Sequence, residues 1–311
     1  MPPLSQETTV GLPVDAGLRR ALELHAAWVE KRPGGVRARL TNTTFADVKW
    51  QGIRLCRTVI EAAQFIEADL TACDLSGCEM SYVDLRGATL NRADLTAARM
   101  DHVRMEVGWL LGANFSEARL LECVLDRAHL NETRWQESNL QASRFVSAPL
   151  DRAAFHQARI FSCDFSEANL EGANFYHVRM QLSRFHGSAL VEANFCNATV
   201  QDCAFSQADL THARFNRADL SRSGFVRAKL EGCDFREAKL AGADFCGAML
   251  SGSRFGGAIL MGADLRDAHL RGAREMTAEQ LSSARTDAST ILPNGSRGPY
   301  TRRSGAERPA R

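Results

Sequence analysis

Apolar residues return at every fifth position of this chain, without a slip of register, from Leu40 to Leu270. Leu40, Phe45, Trp50, Leu55, Ile60, Phe65 and Leu70 open the series, and every later centre is Leu, Phe, Ile, Met, Val or Trp. Two residues ahead of each centre stands a small side chain, as at Ala38, Thr43, Ala63, Cys73, Ala88, Ala113, Ser143 and Ala173, and only Ile53 clearly breaks this rule. A period of five fits neither the 3.6 of a helix nor the 2.0 of an ordinary strand. It predicts a chain that turns a corner at each centre, with four corners closing a square coil of about 20 residues. The centre and the small residue point inward and the other three positions face solvent. Beside a large centre only a small side chain fits, because protein interiors are close-packed. Stacked at the ~4.8 Å spacing of paired strands, about 12 such coils make a rod on the order of 57 Å long.

A finer regularity supports the square. From Phe145 to Phe255 the centres alternate between Phe and an aliphatic residue. Alternate corners lie on opposite sides, so Phe145, Phe165, Phe185, Phe205, Phe225 and Phe245 form one column, and Phe155, Phe175, Phe195, Phe215, Phe235 and Phe255 form the column facing it. Stacked rings stabilise a core by burial and by their quadrupoles. The N-terminal half has mostly Leu and Met in these places and is expected to be the softer half.

Both ends of such a stack need covering, since an open coil is an unpaired strand edge. Leu18, Ala21, Leu22, His25, Trp28 and Val29 follow helical spacing, and Pro33, Gly34 and Gly35 end the run. This predicts an amphipathic helix over the first coil, with His25 and Trp28 as packing residues. Thr277 followed by Gln280 has the form of a capping box and predicts a short helix to about Ala284 that closes the last coil. The expected organisation is therefore a leader and capping helix over 1–35, the repeat over 36–274, a C-terminal cap over 275–295 and a tail over 296–311. Beyond Ser296 the chain has five arginines and one glutamate and few apolar residues, so that tail is expected to be disordered.

Strings such as ADL, ANF and CDF, repeated from about residue 36 to 274, resemble the A(D/N)LXX motif of the pentapeptide-repeat family. The resemblance implies an all-β solenoid, a right-handed quadrilateral parallel β-helix, with the N-terminal capping helix and the short C-terminal helix read above. It says little of function, because one fold hosts unrelated jobs. Some relatives protect DNA gyrase by imitating duplex DNA, some are secreted bacterial effectors, and relatives often dimerise through the C-terminal coil.

Composition narrows the field. The formal net charge is +1, and the tail alone contributes +4, which leaves the remainder near −3. Direct nucleic-acid binding is not expected from such a balance. No stretch is apolar enough to span a membrane, and the opening MPPLSQETTVGLPVDAG has neither the basic nor the apolar region of a secretory signal. Nine cysteines, an odd number, in a chain with no export signal point to a reducing cytoplasm. Cys73, Cys78, Cys123, Cys163, Cys203 and Cys233 fall at the small inward position and read as core fillers. Cys56, Cys196 and Cys246 fall at outward positions and are expected to be accessible. No zinc spacing, phosphate-binding glycine loop or nucleophile motif occurs, so neither a cofactor nor a metal nor an enzymatic activity is expected. Asp residues just before a centre, such as Asp69, Asp219 and Asp264, are expected to hold corner amides.

If the core is committed to packing, specificity lies on the outward columns. Arg99, Arg119, Arg159, Arg179 and Lys239 precede centres whose numbers are divisible by 20, and Leu121, Phe161 and Leu182 follow such centres. Arginine mixed with exposed apolar and aromatic side chains is the composition of an interface core. Trp109, in an irregular coil with Arg104, Glu106 and Gly108, is a second candidate. The expected function is a non-enzymatic protein-binding scaffold or adaptor with a protein partner. A gyrase- or topoisomerase-binding DNA mimic is the main alternative, disfavoured because a mimic needs a dense acidic surface. A secreted effector is a further one.

Overall fold

The computed structural model describes residues 16–45 and 47–309. Nine three-residue strands follow one another in chain order and pair in parallel: β1 (Arg39–Thr41), β2 (Val59–Glu61), β3 (Glu79–Ser81), β4 (Arg99–Asp101), β5 (Arg119–Leu121), β6 (Asn139–Gln141), β7 (Arg159–Phe161), β8 (Arg179–Gln181) and β9 (Thr199–Gln201). Every pairing advances the chain by 20 residues, as in Leu40↔Ile60 and Ile160↔Met180. The same step appears as isolated parallel bridges on the other sides of the coil, for example Trp109↔His129 and Asp164↔Arg184. The molecule is thus a parallel β-solenoid of four-sided coils. Its continuous three-residue ladder covers one side of β1–β9, rather than all of the 12 turns expected. Beyond Gln201 the step continues as single bridges to Arg254↔Arg274, then lengthens at Asp264↔Arg285 and His269↔Ile291.

The corners follow from backbone geometry. After Phe165, for instance, Glu167 is left-handed (φ 61) and the Ala168 amide donates to the Phe165 carbonyl at 3.1 Å. A left-handed third residue with such a bond is the mark of a type II turn. The aspartate before a centre completes the corner. Asp219 Oδ1 accepts from the Ser221 amide at 3.1 Å and from its hydroxyl at 2.6 Å, and Asp69, Asp74, Asp84, Asp94, Asp209, Asp234, Asp244 and Asp264 accept the equivalent amide.

All the centres from Leu40 to Leu270 are buried. The two phenylalanine columns are real stacks. Phe185 and Phe205 lie 4.7 Å apart and 10° from parallel, and Phe195 and Phe215 5.0 Å apart at the same angle. Across the core the columns meet edge to face, as at Phe195 and Phe205 (6.1 Å, 88°). The second column reaches further back through Trp135 to Phe115, with 4.1 Å between those two rings. Trp135 is buried with its indole N–H donating to the Thr133 hydroxyl at 2.8 Å, whereas the buried indole N–H of Trp50 has no partner. Between Phe65 and Phe115 the centres are Leu and Met, and a void of about 10 Å³ lies among Leu55, Phe65, Leu75, Met80 and Leu85.

Helix α1 (Ala16–Val29) covers the first coil. His25 is its anchor: Nδ1 accepts from the Ala38 amide at 3.1 Å, so Nε2 carries the proton and donates to the Cys56 carbonyl at 3.0 Å. Gly35 is obligatory there, since a Cβ would fall 2.3 Å from the Trp28 nitrogen. The part of the expected leader before Ala16 lies outside the described residues. The helix also corrects one expectation: Cys56 is buried, because α1 roofs the outward position it occupies.

Helix α2 (Ala278–Ser283) starts with the expected capping box of Thr277 and Gln280. The Gln280 amide nitrogen donates to the carbonyls of Phe255 (2.7 Å) and Ala258 (2.9 Å), which closes that coil. The expectation of disorder beyond Ser296 is not met over 296–309. That segment folds back on the last coil: Leu292 and Ala306 are buried, Ile291 bridges Arg297, and the Tyr300 hydroxyl donates to Glu307 at 3.1 Å. The cross-section of one coil is small, so two or three apolar residues suffice to cover it, which a composition count overlooks.

Two outcomes are expected. Phe205→Ala should cost about 3–5 kcal/mol in equilibrium unfolding, and amide exchange should be slower over 145–255 than over 70–105. Equal protection of the two regions would remove the case for a softer N-terminal half. For the cap, burial chiefly lowers the His25 pKa from its usual 6.5, against the opposing pull of the Cys56 carbonyl. The stabilisation is then complete above the usual histidine range and is lost as pH falls through the lowered folded value. Amide exchange across α1 should accelerate in mild acid relative to neutral pH, and His25→Ala should expose α1 at both.

Candidate partner-binding face

The side of the coil that bears β1–β9 differs from the other three. Its corners lack the tight turn bond seen after Phe165, and the chain stays extended for three residues instead of one. The freed amides find another acceptor. Cys123, Cys163 and Cys203 donate through their backbone N–H to the hydroxyls of Ser143, Ser183 and Ser223, each at 3.2 Å and one coil further on. The spacing of 40 residues among these cysteines reflects their alternation with serines in one inward column. Burial pushes all three thiols up to about 12, which suits a structural filler and not a nucleophile.

This extended side carries the arginines. Arg99 and Arg119 are paired in register on β4 and β5, and Arg159 and Arg179 on β7 and β8. Asn139 on β6 separates the two pairs. All four arginines are exposed, and among the described residues none makes an ion pair or a side-chain hydrogen bond. Elsewhere on the rod some arginines are held by carboxylates, as in Arg144–Asp126 (2.8 Å), Arg222–Asp202 (2.7 Å) and Arg217–Glu237 (2.8 Å), and others, such as Arg134, Arg184 and Arg214, are exposed without such a pair. Lys239 lies beyond β9 in the same column, bridged to Asp219 and Ile259.

Leu121 on β5 and Phe161 on β7 lie two residues from the arginines of their own strands, on the far side of the inward centre, and are 37% and 43% exposed. Leu182, just past β8, is 53% exposed in a left-handed corner (φ 54). The structure therefore brings together Arg99, Arg119, Leu121, Arg159, Phe161, Arg179 and Leu182. It leaves out Trp109. That residue, which pairs with Thr89 and His129, lies ten residues from Arg99 and from Arg119 along the coil, which is two corners and so the opposite side. Trp109 stacks on His129 there, 3.9 Å between ring centres and 4° from parallel.

Two grooves run along the rod on either side of the arginine column and overlap at Arg119 and Asn139. One, of about 700 Å³, lies between the arginines and a wall of corner residues that includes Glu117, Glu137, Gln157 and His177. The other, of about 460 Å³, lies towards Asp101 and Leu121 with Met80, Met100 and Leu120 beneath it. Sequence reasoning missed the corner wall, although the same numbering modulo 20 aligns it. It also missed His102, whose ring stacks on the exposed Tyr82 at 4.9 Å. Its Nδ1 lies 2.7 Å from Asp101 and its Nε2 3.0 Å from Glu122. The Asp101 hydrogen bond, with the nearby negative charges, raises its pKa above the usual histidine value.

Among the described residues no group of three or more His, Cys, Asp or Glu is placed to hold a metal ion, and no helix is long and apolar enough to cross a membrane.

A solenoid of this build, with an uninterrupted five-residue register, defines a class of repeat protein. The profile of the pentapeptide repeat region matches residues 158–235, and that of pentapeptide repeats (8 copies) matches 38–77, 68–106, 110–145 and 228–267. The chain belongs to the pentapeptide-repeat family. Among solved structures it is similar to HetL, a pentapeptide repeat protein involved in heterocyst differentiation regulation in the cyanobacterium Nostoc sp. strain PCC 7120. The identity is 23%, over 93% of this chain and 100% of that one, with a TM-score of 0.43. Rfr23 from the cyanobacterium Cyanothece 51142 is 17% identical over 37% of this chain and 90% of its own, with a TM-score of 0.27. QnrB1, a plasmid-mediated fluoroquinolone resistance protein, is 18% identical over 76% of this chain and 79% of its own, with a TM-score of 0.21. No curated protein sequence matches the chain.

The thiols offer a direct check on which positions face out. Cys196 and Cys246 are half-buried and the other seven cysteines are buried. Burial is the main cause of a raised thiol pKa at Cys196 and Cys246 too, so their reaction should be slow at neutral pH and faster in mild alkali. Mass spectrometry after native alkylation should find adducts at those two positions alone. Labelling at Cys56 in the folded protein would show that α1 does not cover the first coil.

Proposed function

We propose that the chain is a non-enzymatic scaffold that binds a protein partner on the face of β4–β8. The observation that carries this reading is the column of Arg99, Arg119, Arg159 and Arg179, exposed and without intramolecular partners, beside the exposed Leu121, Phe161 and Leu182. Arginines and aromatics that dominate binding energy are the ones with desolvated, complementary partners. Over the described residues the core is filled by its own side chains. A DNA mimic would need the opposite charge on this face. The cysteines form no disulfide, in keeping with a reducing cytoplasm as the place of action. Residues 285–309 fold over the last coil, with Leu292 and Ala306 buried, which argues against pairing of two copies through that end.

Affinity capture from the host's lysate tests the reading. Wild type should retain a partner that a variant with Arg159→Glu and Phe161→Ser loses by roughly tenfold or more, both proteins melting at the same temperature because the two side chains point outward. Equal recovery of every bound protein by the variant would remove this face as the binding site. Gyrase or topoisomerase subunits held equally by both would favour the mimic reading instead.

A further inference from the structure

The spacing of the anchors on this face selects the shape of what docks there. Arg99, Arg119, Arg159 and Arg179 sit on the first, second, fourth and fifth rungs of a five-strand track. At strand spacing the rungs are about 4.8 Å apart, so the track is about 19 Å long, and Leu121 and Phe161, two rungs apart, are separated by about 9.6 Å. An extended peptide laid along the rod presents same-side residues at multiples of about 6.7 Å, and the residue at about 10 Å faces away. It matches neither one rung nor two. A helix presents same-side residues three or four apart, about 4.5–6 Å along its axis, and seven apart, about 10.5 Å. These match one rung and two rungs, within the reach of an arginine side chain.

Charge decides the rest. The arginine column is bordered by Glu117 and Glu137 on one side and by Asp101 and Glu122 on the other. Such a border repels a continuous polyanion, whose affinity depends on uninterrupted neutralisation. Discrete carboxylates can meet each guanidinium in paired hydrogen bonds. Among the described residues a second copy of this chain offers no fitting helix. Its α1 has no acidic residue in the first turn, carries Arg19 and Arg20, and is already docked through Leu18, Leu22 and His25.

We propose that the ligand of this face, within the docking reading above, is an amphipathic helix lying along the rod axis over β4–β8. One flank carries carboxylates three or four residues apart, above the arginines. The adjacent stripe carries apolar residues seven apart, seated on Leu121 and Phe161.

The test is a displayed library of helical peptides of about 21 residues, three heptads, selected on the full-length chain and counter-selected on the Arg159→Glu, Phe161→Ser variant. The expected winners combine apolar residues at a seven-residue interval with Asp or Glu three or four apart on one neighbouring flank. A synthetic consensus peptide should gain helical circular dichroism on binding and lose roughly tenfold or more in affinity to each single variant. The same peptide with Lys in place of its acids should bind the chain carrying Arg119→Glu and Arg159→Glu better than it binds wild type. Winners that alternate every second residue would overturn the helix and leave the face as a protein-binding site. Absence of any enrichment that depends on Arg159 and Phe161 would overturn both the helix and the docking reading. A labelled DNA duplex that binds wild type and not the variant would overturn both in favour of phosphate recognition.

Discussion

Everything in this molecule depends on one steric constraint, the fit of one large and one small side chain per corner inside a square coil. Along the phenylalanine columns the interior is tightly filled, with stacked rings 4.6–5.2 Å apart. One inserted residue would send a centre outward and an outward residue into the core. Because that is intolerable, the register runs unbroken from Leu40 to Leu270. The hydrogen bonds obey the same clock, since apart from the corner bonds the amides and carbonyls pair with the coils above and below, as at Asp164 N–H to Ser143 O and Phe165 N–H to Arg184 O. A residue's number modulo 20 is therefore its address on the surface.

The constraint is met at some expense to the backbone. The second residue after a centre is left-handed at corner after corner, and many of these residues are not glycine, Val107 (φ 54) being an unfavourable example. For an L-residue this conformation costs about 1–2 kcal/mol. It is tolerated because the corner bond and the inter-coil bonds fix it on both sides. Glycine takes over towards the C-terminus, at Gly232, Gly242, Gly247, Gly252, Gly257, Gly262 and Gly272, where the centres still stack but the extended strands have ended.

The sequence makes the core and the corners legible because both are local and periodic. Phe205 and Ala208 announce their places by number, and so do Asp219 and its relatives. What it hides depends on coverage or on the path of the backbone. Cys56 looks outward in any five-residue scheme and is buried only because His25 binds its carbonyl from another element. Tyr300 and Ala306 look like part of a polar tail until the exposed end of the last coil gives them a surface to cover. The candidate face was half legible. The arginine column and Phe161 follow from counting, and the same count sends Trp109 to the opposite side. The extended corners do not follow from it, because Cys and Ser at the small position satisfy the packing rule as alanine does. Their different role, with Ser143 and Ser183 accepting amides, appears only in the backbone.

That coincidence of extended corners and unpaired arginines is the strongest argument for where the molecule acts. A tight corner lifts its outward residues away from one another, whereas three extended residues per rung make a flat strip with two parallel rows of side chains. The rows here differ in chemistry, arginine prevailing in one and Leu121 and Phe161 alternating with Asp101, Gln141 and Gln181 in the other, and they keep their distance because neither strand nor corner can shift without breaking the register beneath. A partner docking as proposed would meet a surface that is already ordered, so little of the interaction would be spent on fixing the receptor. The arginines are unoccupied in the free molecule, so no internal ion pair opposes binding. Some arginines of the rod tie one coil to the next, as Arg222 does with Asp202, whereas these four stand together in one column with no ion pair of their own among the described residues. What sets this column apart is therefore its arrangement, exposed guanidinium groups in register on the one side built flat, and the proposed docking face rests on that.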